Sequence, residues 1–277
     1  MENITSKFDD KLEMSNEICR HAVYSNGVET VKEVRMILID GEHVCPLCRR
    51  EEANKRFEDE VQKEVDELKA KRKYRIFESQ SVITDIDLLN AGFGNYETTG
   101  SEERTNKERA TKAYQEYRKG EVFNTWLTGL PGTGKSHLAM SILRNLNEVE
   151  PQDKSCVFVS VDTMLMRIRE SFDNKDSEYT ESYFVDLLTS VDYLVLDDLG
   201  AETGGTGTDK RATDFTLRVL YAIANGRRNK STIITTNLGK KELIKMYDPK
   251  LISRLMGTVY QIKFEQASDK RVKVLKF

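Results

Sequence analysis

No run of apolar residues in this 277-residue chain approaches the ~18 needed to cross a bilayer as a helix. The polar start, Met1 to Asp10, lacks the basic segment and apolar core of a secretory signal. A membrane or exported protein is therefore not expected, and the cytoplasm is the expected compartment. Charge of one sign is also lacking: 43 Lys plus Arg stand against 46 Asp plus Glu, a net charge of -3. That excludes a wholly basic nucleic-acid binder and leaves such contacts to local patches. Four cysteines are too few for a disulfide scaffold of this size, and Cys19, the pair Cys45 and Cys48, and a distant Cys156 are spaced as for metal rather than bridges. Internal repeats and low-complexity segments are missing as well.

What is present changes character along the chain, and at this length two folding units are expected. A cysteine-bearing start is followed by a highly charged stretch in which Val61, Val65, Leu68 and Arg72 fall near helical spacing, predicting one long helix. These make residues 1–77 a first module. Residues 78–120 are expected to be a linker and helical lead-in, because short apolar clusters there alternate with turn-formers and no period persists. In residues 121–277 five short apolar runs alternate with longer helical patterns: VFNTWLTG, CVFVSVD, YLVLDD, STIITTN and TVYQIKF. That alternation predicts an α/β domain with a five-stranded parallel sheet flanked by helices.

The loop GLPGTGKS, Gly129 to Ser136, lies between the first of those strands and an amphipathic helix, which is the context a phosphate-binding loop requires. Gly132 and Gly134 let backbone N–H groups turn inward around a phosphate, and the helix adds its N-terminal dipole. Lys135 would bridge β- and γ-phosphates and the Ser136 hydroxyl would ligate Mg²⁺. Gly129, Pro131, Thr133 and His137 complete the expected ATP-binding set. The strand YLVLDD ends in Asp197, a candidate Mg²⁺ ligand through water, and Asp198, a candidate for orienting or deprotonating the attacking water. STIITTN ends in Asn237, which at the same sheet edge can align that water or sense the γ-phosphate.

CPLC, Cys45 to Cys48, has the spacing that turns two thiolates toward one metal, and EICRH supplies Cys19 and His21 upstream. A β-hairpin turning at Asp40-Gly41 would bring the two pairs together on a structural Zn²⁺. His43 is the substitute for His21; a redox Cys-x-x-Cys and unligated thiols are the other readings of the cysteines. Cys156 opens an apolar strand and reads as a packed core thiol.

GLPGTGKSHLA, LVLDDLG, TIITTNL and DPKLISRLMG, in this order, resemble the DnaC/DnaI group of AAA+ ATPases, loaders of the replicative helicase, over about Phe93 to Arg271. The resemblance implies a Mg-dependent ATPase, stimulated by single-stranded DNA, that self-associates through its ATPase domain and serves a hexameric helicase. It implies an arginine finger at Arg254 and a sensor II arginine at Arg271, with Lys270 able to take the latter role. Zinc-bearing N-terminal modules in similar loaders engage the helicase, which points to residues 1–77. No lid domain is expected in the six residues after Arg271, and loaders of this group lack one. The sequence departs from the pattern in having Ser136 where many relatives have Thr, which keeps the hydroxyl. It also carries the insertion GAETGGTGTDKRAT, where Lys210 and Arg211 could touch single-stranded DNA or form a plain solvated connection. A transposase-partner ATPase of the IstB kind would share every ATPase motif. A metabolic P-loop kinase would need a lid and an acceptor site that the sequence does not display.

Overall fold

A computed structural model describes residues 13–25, 28–204 and 211–271. The chain divides into two compact units, Met1–Leu68 and Lys69–Phe277.

In the first unit, β2 (Val28–Ile39) and β3 (Glu42–Val44) form the expected hairpin. Asp40 and Gly41 take φ values of +50° and +83°, the left-handed pair that a tight Asp-Gly turn of the primed type needs. A feature not foreseen is the length of β1 (Glu13–Ser25), which pairs antiparallel with β2 from Glu13↔Leu38 to Ser25↔Val28. Helix α1 (Pro46–Gln80) starts with proline in its first turn, where a missing N–H costs nothing, and has no fully buried side chain. The division at Leu68 falls inside this helix rather than after residue 77. The reason is local: Ile76 and Phe77, in its last turns, pack into the core of the second unit.

The second unit has the expected α/β architecture. The five expected strands are β4 (Asn124–Gly129), β5 (Cys156–Ser160), β6 (Tyr193–Asp197), β7 (Thr232–Thr236) and β8 (Val259–Phe264). They form one sheet in the order β5-β6-β7-β4-β8, with every neighbouring pair parallel. Because side chains alternate along a strand, each strand feeds two cores. Trp126, Val157, Val159, Leu194, Leu196 and Ile234 face one; Leu127, Cys156, Phe158, Val195 and Ile233 face the other. Helices α2 (Ser101–Arg118) and α3 (Lys135–Glu148) contribute to the core that holds Cys156. Helices α4 (Val161–Asp173), α5 (Glu181–Ser190), α6 (Asp214–Gly226), α7 (Lys240–Met246) and α8 (Pro249–Met256) contribute to the other. Cys156 is fully buried, as a packed core thiol is, and burial raises its pKa.

The stretch expected as a linker and helical lead-in is a folded part of this unit, with α2 as its helix. Ala110, Ala113 and Tyr117 of α2 are buried, and Val82 extends the sheet edge through Val82 N–H to Phe158 O (2.7 Å) and Ser160 N–H to Val82 O (3.0 Å). Its apolar residues are too sparse to show a period, yet they are small or aromatic and seal the sheet's edge and face. Among the described residues no helix is long and apolar enough to cross a membrane.

Candidate functional site

The sheet order sets β6, β7 and β4 side by side, so their carboxyl ends form one edge, where open α/β sheets bind ligands. The chain leaves β4 at Gly129, turns through Gly132 (φ +74°) and Gly134 (φ +92°), and enters α3 at Lys135. These left-handed positions suit glycine, and at Gly134 an added Cβ would lie 2.8 Å from the Tyr96 ring. A first helical turn leaves its N–H groups without intrahelical partners, facing the loop's concavity. Thr133 Oγ1 closes the turn on Leu130 O at 2.8 Å.

Lys135 Nζ donates to Gly129 O at 2.9 Å and Leu130 O at 2.6 Å. Burial lowers its pKa to about 8, against the pull of Asp198 and Asp197. Asp197, the last residue of β6, is buried; burial pushes its carboxyl up to about 6, while hydrogen bonds from Thr235 and Ser136 work the other way. Asp198 follows with φ +56°, and Asn237 Nδ2 donates to its Oδ1 at 3.3 Å. Asn237 Oδ1 is buried with no hydrogen-bond partner, an acceptor left over at the site. His137 bonds through Nε2 to Gly92 O at 3.0 Å and meets Tyr96 edge-on; burial lowers its pKa.

A cleft of about 730 Å³ gathers Pro131, Gly132, Gly134, Lys135, Ser136, His137, Asp198, Asn237, Lys270 and Arg271. Three cationic side chains, a glycine-built turn, an orphan acceptor and the Asp198 carboxylate with Asp197 buried behind it fit a nucleoside triphosphate with a divalent cation. Sequence reasoning missed the opposite wall, Asp85, Asp87, Leu88, Asn95, Tyr96 and Glu97. Only the turn-former pattern around Gly94 hinted that this segment folds back. Lys270 ties that wall to the loop: its N–H donates to Gly132 O at 2.9 Å, and its ammonium sits 3.7 Å from the Tyr96 ring centroid and bonds Glu97 O.

Arg254 does not join this cleft. It lies on α8, its guanidinium 4.4 Å from the Tyr221 ring centroid, in a separate hollow with Arg228, Pro249, Lys250 and Ser253. Its Nε is buried without a hydrogen-bond partner. Lys210 lies outside the described residues, and Arg211 is exposed.

In the first unit, Cys19 and His21 share one face of β1, because strand side chains repeat every two residues. Cys45 immediately precedes α1 and Cys48 is in its first turn, so their side chains turn back toward that face. Cys19 Sγ lies 3.7 Å from Cys48 Sγ, His21 Nε2 3.1 Å from Cys45 Sγ and 3.7 Å from Cys48 Sγ, with all four ligand atoms within 4.8 Å of one another. Tetrahedral zinc with bonds of ~2.3 Å to sulfur and ~2.0 Å to nitrogen separates its ligands by ~3.5–3.8 Å, so the set fits that ion. Burial works to raise the Cys45 thiol, but the Cys48 backbone and the His21 ring prevail and hold it at about 6. The neighbouring Cys19 thiol pushes Cys48 up to about 12. His43 is engaged elsewhere, with Nδ1 2.6 Å from Ser15 Oγ, so His21 is the imidazole that faces the thiols.

Known proteins are similar to this chain. A protein from Bacillus subtilis known as YqaM, uncharacterized, is 26% identical over 216 residues, 76% of this chain and 64% of its own. The replicative helicase loader DnaC of Escherichia coli K12 is 26% identical over 168 residues, 60% of this chain and 63% of its own. The matched regions thus span just under two thirds of the length of each of these relatives. AMPPCP-bound DnaA from Aquifex aeolicus superimposes with a TM-score of 0.52 at 22% identity, covering 68% of this chain and 54% of that one, which shows a shared fold. The family described as IstB-like ATP binding protein matches residues 46–260, a span that includes Cys48 and the cleft residues from Asp85 to Asn237. The chain belongs to that family, the IstB/DnaC group of AAA+ ATPases.

Proposed function

We propose that this chain is an ATP-dependent loader of a hexameric replicative DNA helicase onto single-stranded DNA at replication initiation, acting in the cytoplasm as an ATP-switched assembly. The observation that carries the reading is the division of the machinery. Loop, Asp198 and Asn237 line one cleft, whereas Arg254 sits in a hollow of its own. A finger there would serve only a neighbouring copy, which suits a switch read at subunit interfaces. Relatives named replicative helicase loader DnaC support the choice of helicase as partner.

Bound ATP with Mg²⁺ supplies a phosphoanhydride whose cleavage resets the switch. Around it, Gly129, Pro131, Gly132, Thr133 and Gly134 shape the loop and Lys135 offsets phosphate charge. Ser136 and Asp197 hold the magnesium. Asp198 accepts the proton of the lytic water or orients it, Asn237 aligns that water, and Arg271 or Lys270 meets the phosphates from the opposite side. Cys19, His21, Cys45 and Cys48 hold a structural zinc that shapes residues 1–77 as the helicase-facing module. Lysine and arginine side chains of the assembly grip single-stranded DNA through its phosphates, making that contact salt-dependent.

The test is helicase loading onto circular single-stranded DNA coated with its binding protein. The chain with ATP should produce bound, active helicase, and Arg254→Ala should bind ATP while losing about 10³-fold or more in hydrolysis. Failure to load under any nucleotide condition would contradict the proposal, and ATP-dependent remodelling of duplex DNA would favour a transposase-partner ATPase instead.

A further inference from the structure

Asp197 and Asp198 are consecutive, and consecutive residues of a strand point to opposite faces. The pairing of β6 with β7 ends at Leu196↔Ile234, and Asp198 then turns into the left-handed region at φ +56°. One hydroxyl spans this break. Thr235 Oγ1 donates to Asp197 Oδ1 at 2.6 Å and accepts from Asp198 N–H at 2.9 Å. Its single proton is therefore committed to one acid, and a lone pair to the backbone of the next. Thr235 is fully buried, so no water replaces either bond. Its carbonyl receives Leu199 N–H at 2.9 Å, and Thr236 on the other face donates to Leu199 O at 2.6 Å. Two residues along, Asn237 grips the Asp198 carboxylate. Asp197 still pairs with Ser160 of β5, and beyond it the carboxyl end of β7 sets the course of the acid pair.

Resting on the ATPase reading above, we propose that Thr235 is the positioning residue of the acid pair, its hydroxyl fixing Asp197 toward Ser136 and Asp198 toward the cleft. Thr235 touches neither nucleotide nor magnesium and acts only through these two residues. A valine there would keep the volume and lose both bonds; a serine would keep both.

The test compares wild type, Thr235→Val and Thr235→Ser in ATP affinity without and with Mg²⁺, in kcat and KM, and in thermal midpoint. Thr235→Val should keep its Mg²⁺-free ATP affinity within about twofold, while the Mg²⁺-dependent gain in affinity and kcat each fall about tenfold or more, the scale of a lost bond to a charged acceptor. Thr235→Ser should hold both within about threefold. If Thr235→Val does not fold, Thr235→Cys, with its weak S–H donor, should show the same selective loss relative to Thr235→Ser. Equal kcat and equal Mg²⁺ gain in the folded valine or cysteine variant and the serine variant would overturn the assignment. Wild type without any Mg²⁺-dependent ATP binding would instead overturn the ATPase reading beneath it.

Discussion

The two units are built on opposite economies. Among the described residues 13–68 only Ser15 and Cys45 are buried, whereas in the second unit the strands β5 and β7 are buried from end to end. The larger unit is held by apolar surface removed from water, each large buried side chain contributing roughly 1.5–3 kcal/mol. The smaller one has a three-stranded sheet with Met14, Ile18 and Val31 exposed and cannot stand on that term. Four ligand atoms within 4.8 Å take the place of a core. With the zinc proposed above, a metal site and an apolar core would be alternative solutions to the same entropic cost.

The sharpest way to break the comparison is to remove the metal. Chelation, or Cys45→Ser, should abolish hydrogen-exchange protection across β1 to β3 while leaving the strands of the second unit protected. Loss of protection in both units would show that the larger core depends on the smaller module. The converse substitution, Phe158→Ala, removes a side chain buried between α3 and the sheet and should cost about 3–5 kcal/mol in denaturant unfolding of the second unit. Zinc content should stay at one per chain, and its loss would contradict the independence of the two units. The smallest effect is expected from His43→Gln, which should retain zinc and change stability by about 0.5 kcal/mol or less, because only a part-buried bond to Ser15 and an exposed contact with Glu17 are disturbed. Zinc loss there would return His43 to the ligand set in place of His21.

Much of the second unit was legible because its signals are local. β-Branched apolar runs mark buried parallel strands, and the glycines, lysine and serine of the loop occur where a phosphate cradle requires them. Asn237 was legible as the polar end of an apolar strand, but Thr235 was not, since a threonine in a strand is ordinarily read as a β-former. Only the break in the ladder at Asp198 gives its hydroxyl two partners. The cleft's far wall escaped for a different reason: Asp85, Leu88 and Tyr96 meet the loop through contacts distant in sequence, and no periodicity encodes those. In the first unit the clustering of Cys19, His21, Cys45 and Cys48 was legible from spacing, with Cys19 and His21 brought to one face by the two-residue repeat of β1. The length of β1 was hidden, because its covered face carries Ser15, Cys19 and His21 rather than apolar side chains and so has no apolar alternation to display it.

The central claim, an ATP-switched partner of a hexameric helicase carrying a structural metal, is tested most directly by native mass spectrometry. The chain would be mixed with the replicative helicase of its host, with and without ATP and Mg²⁺. The account predicts an ATP-favoured assembly of both proteins with one zinc per copy of this chain. A zinc-free chain that ignores the helicase under every nucleotide condition, with its ATPase unit folded, would contradict it.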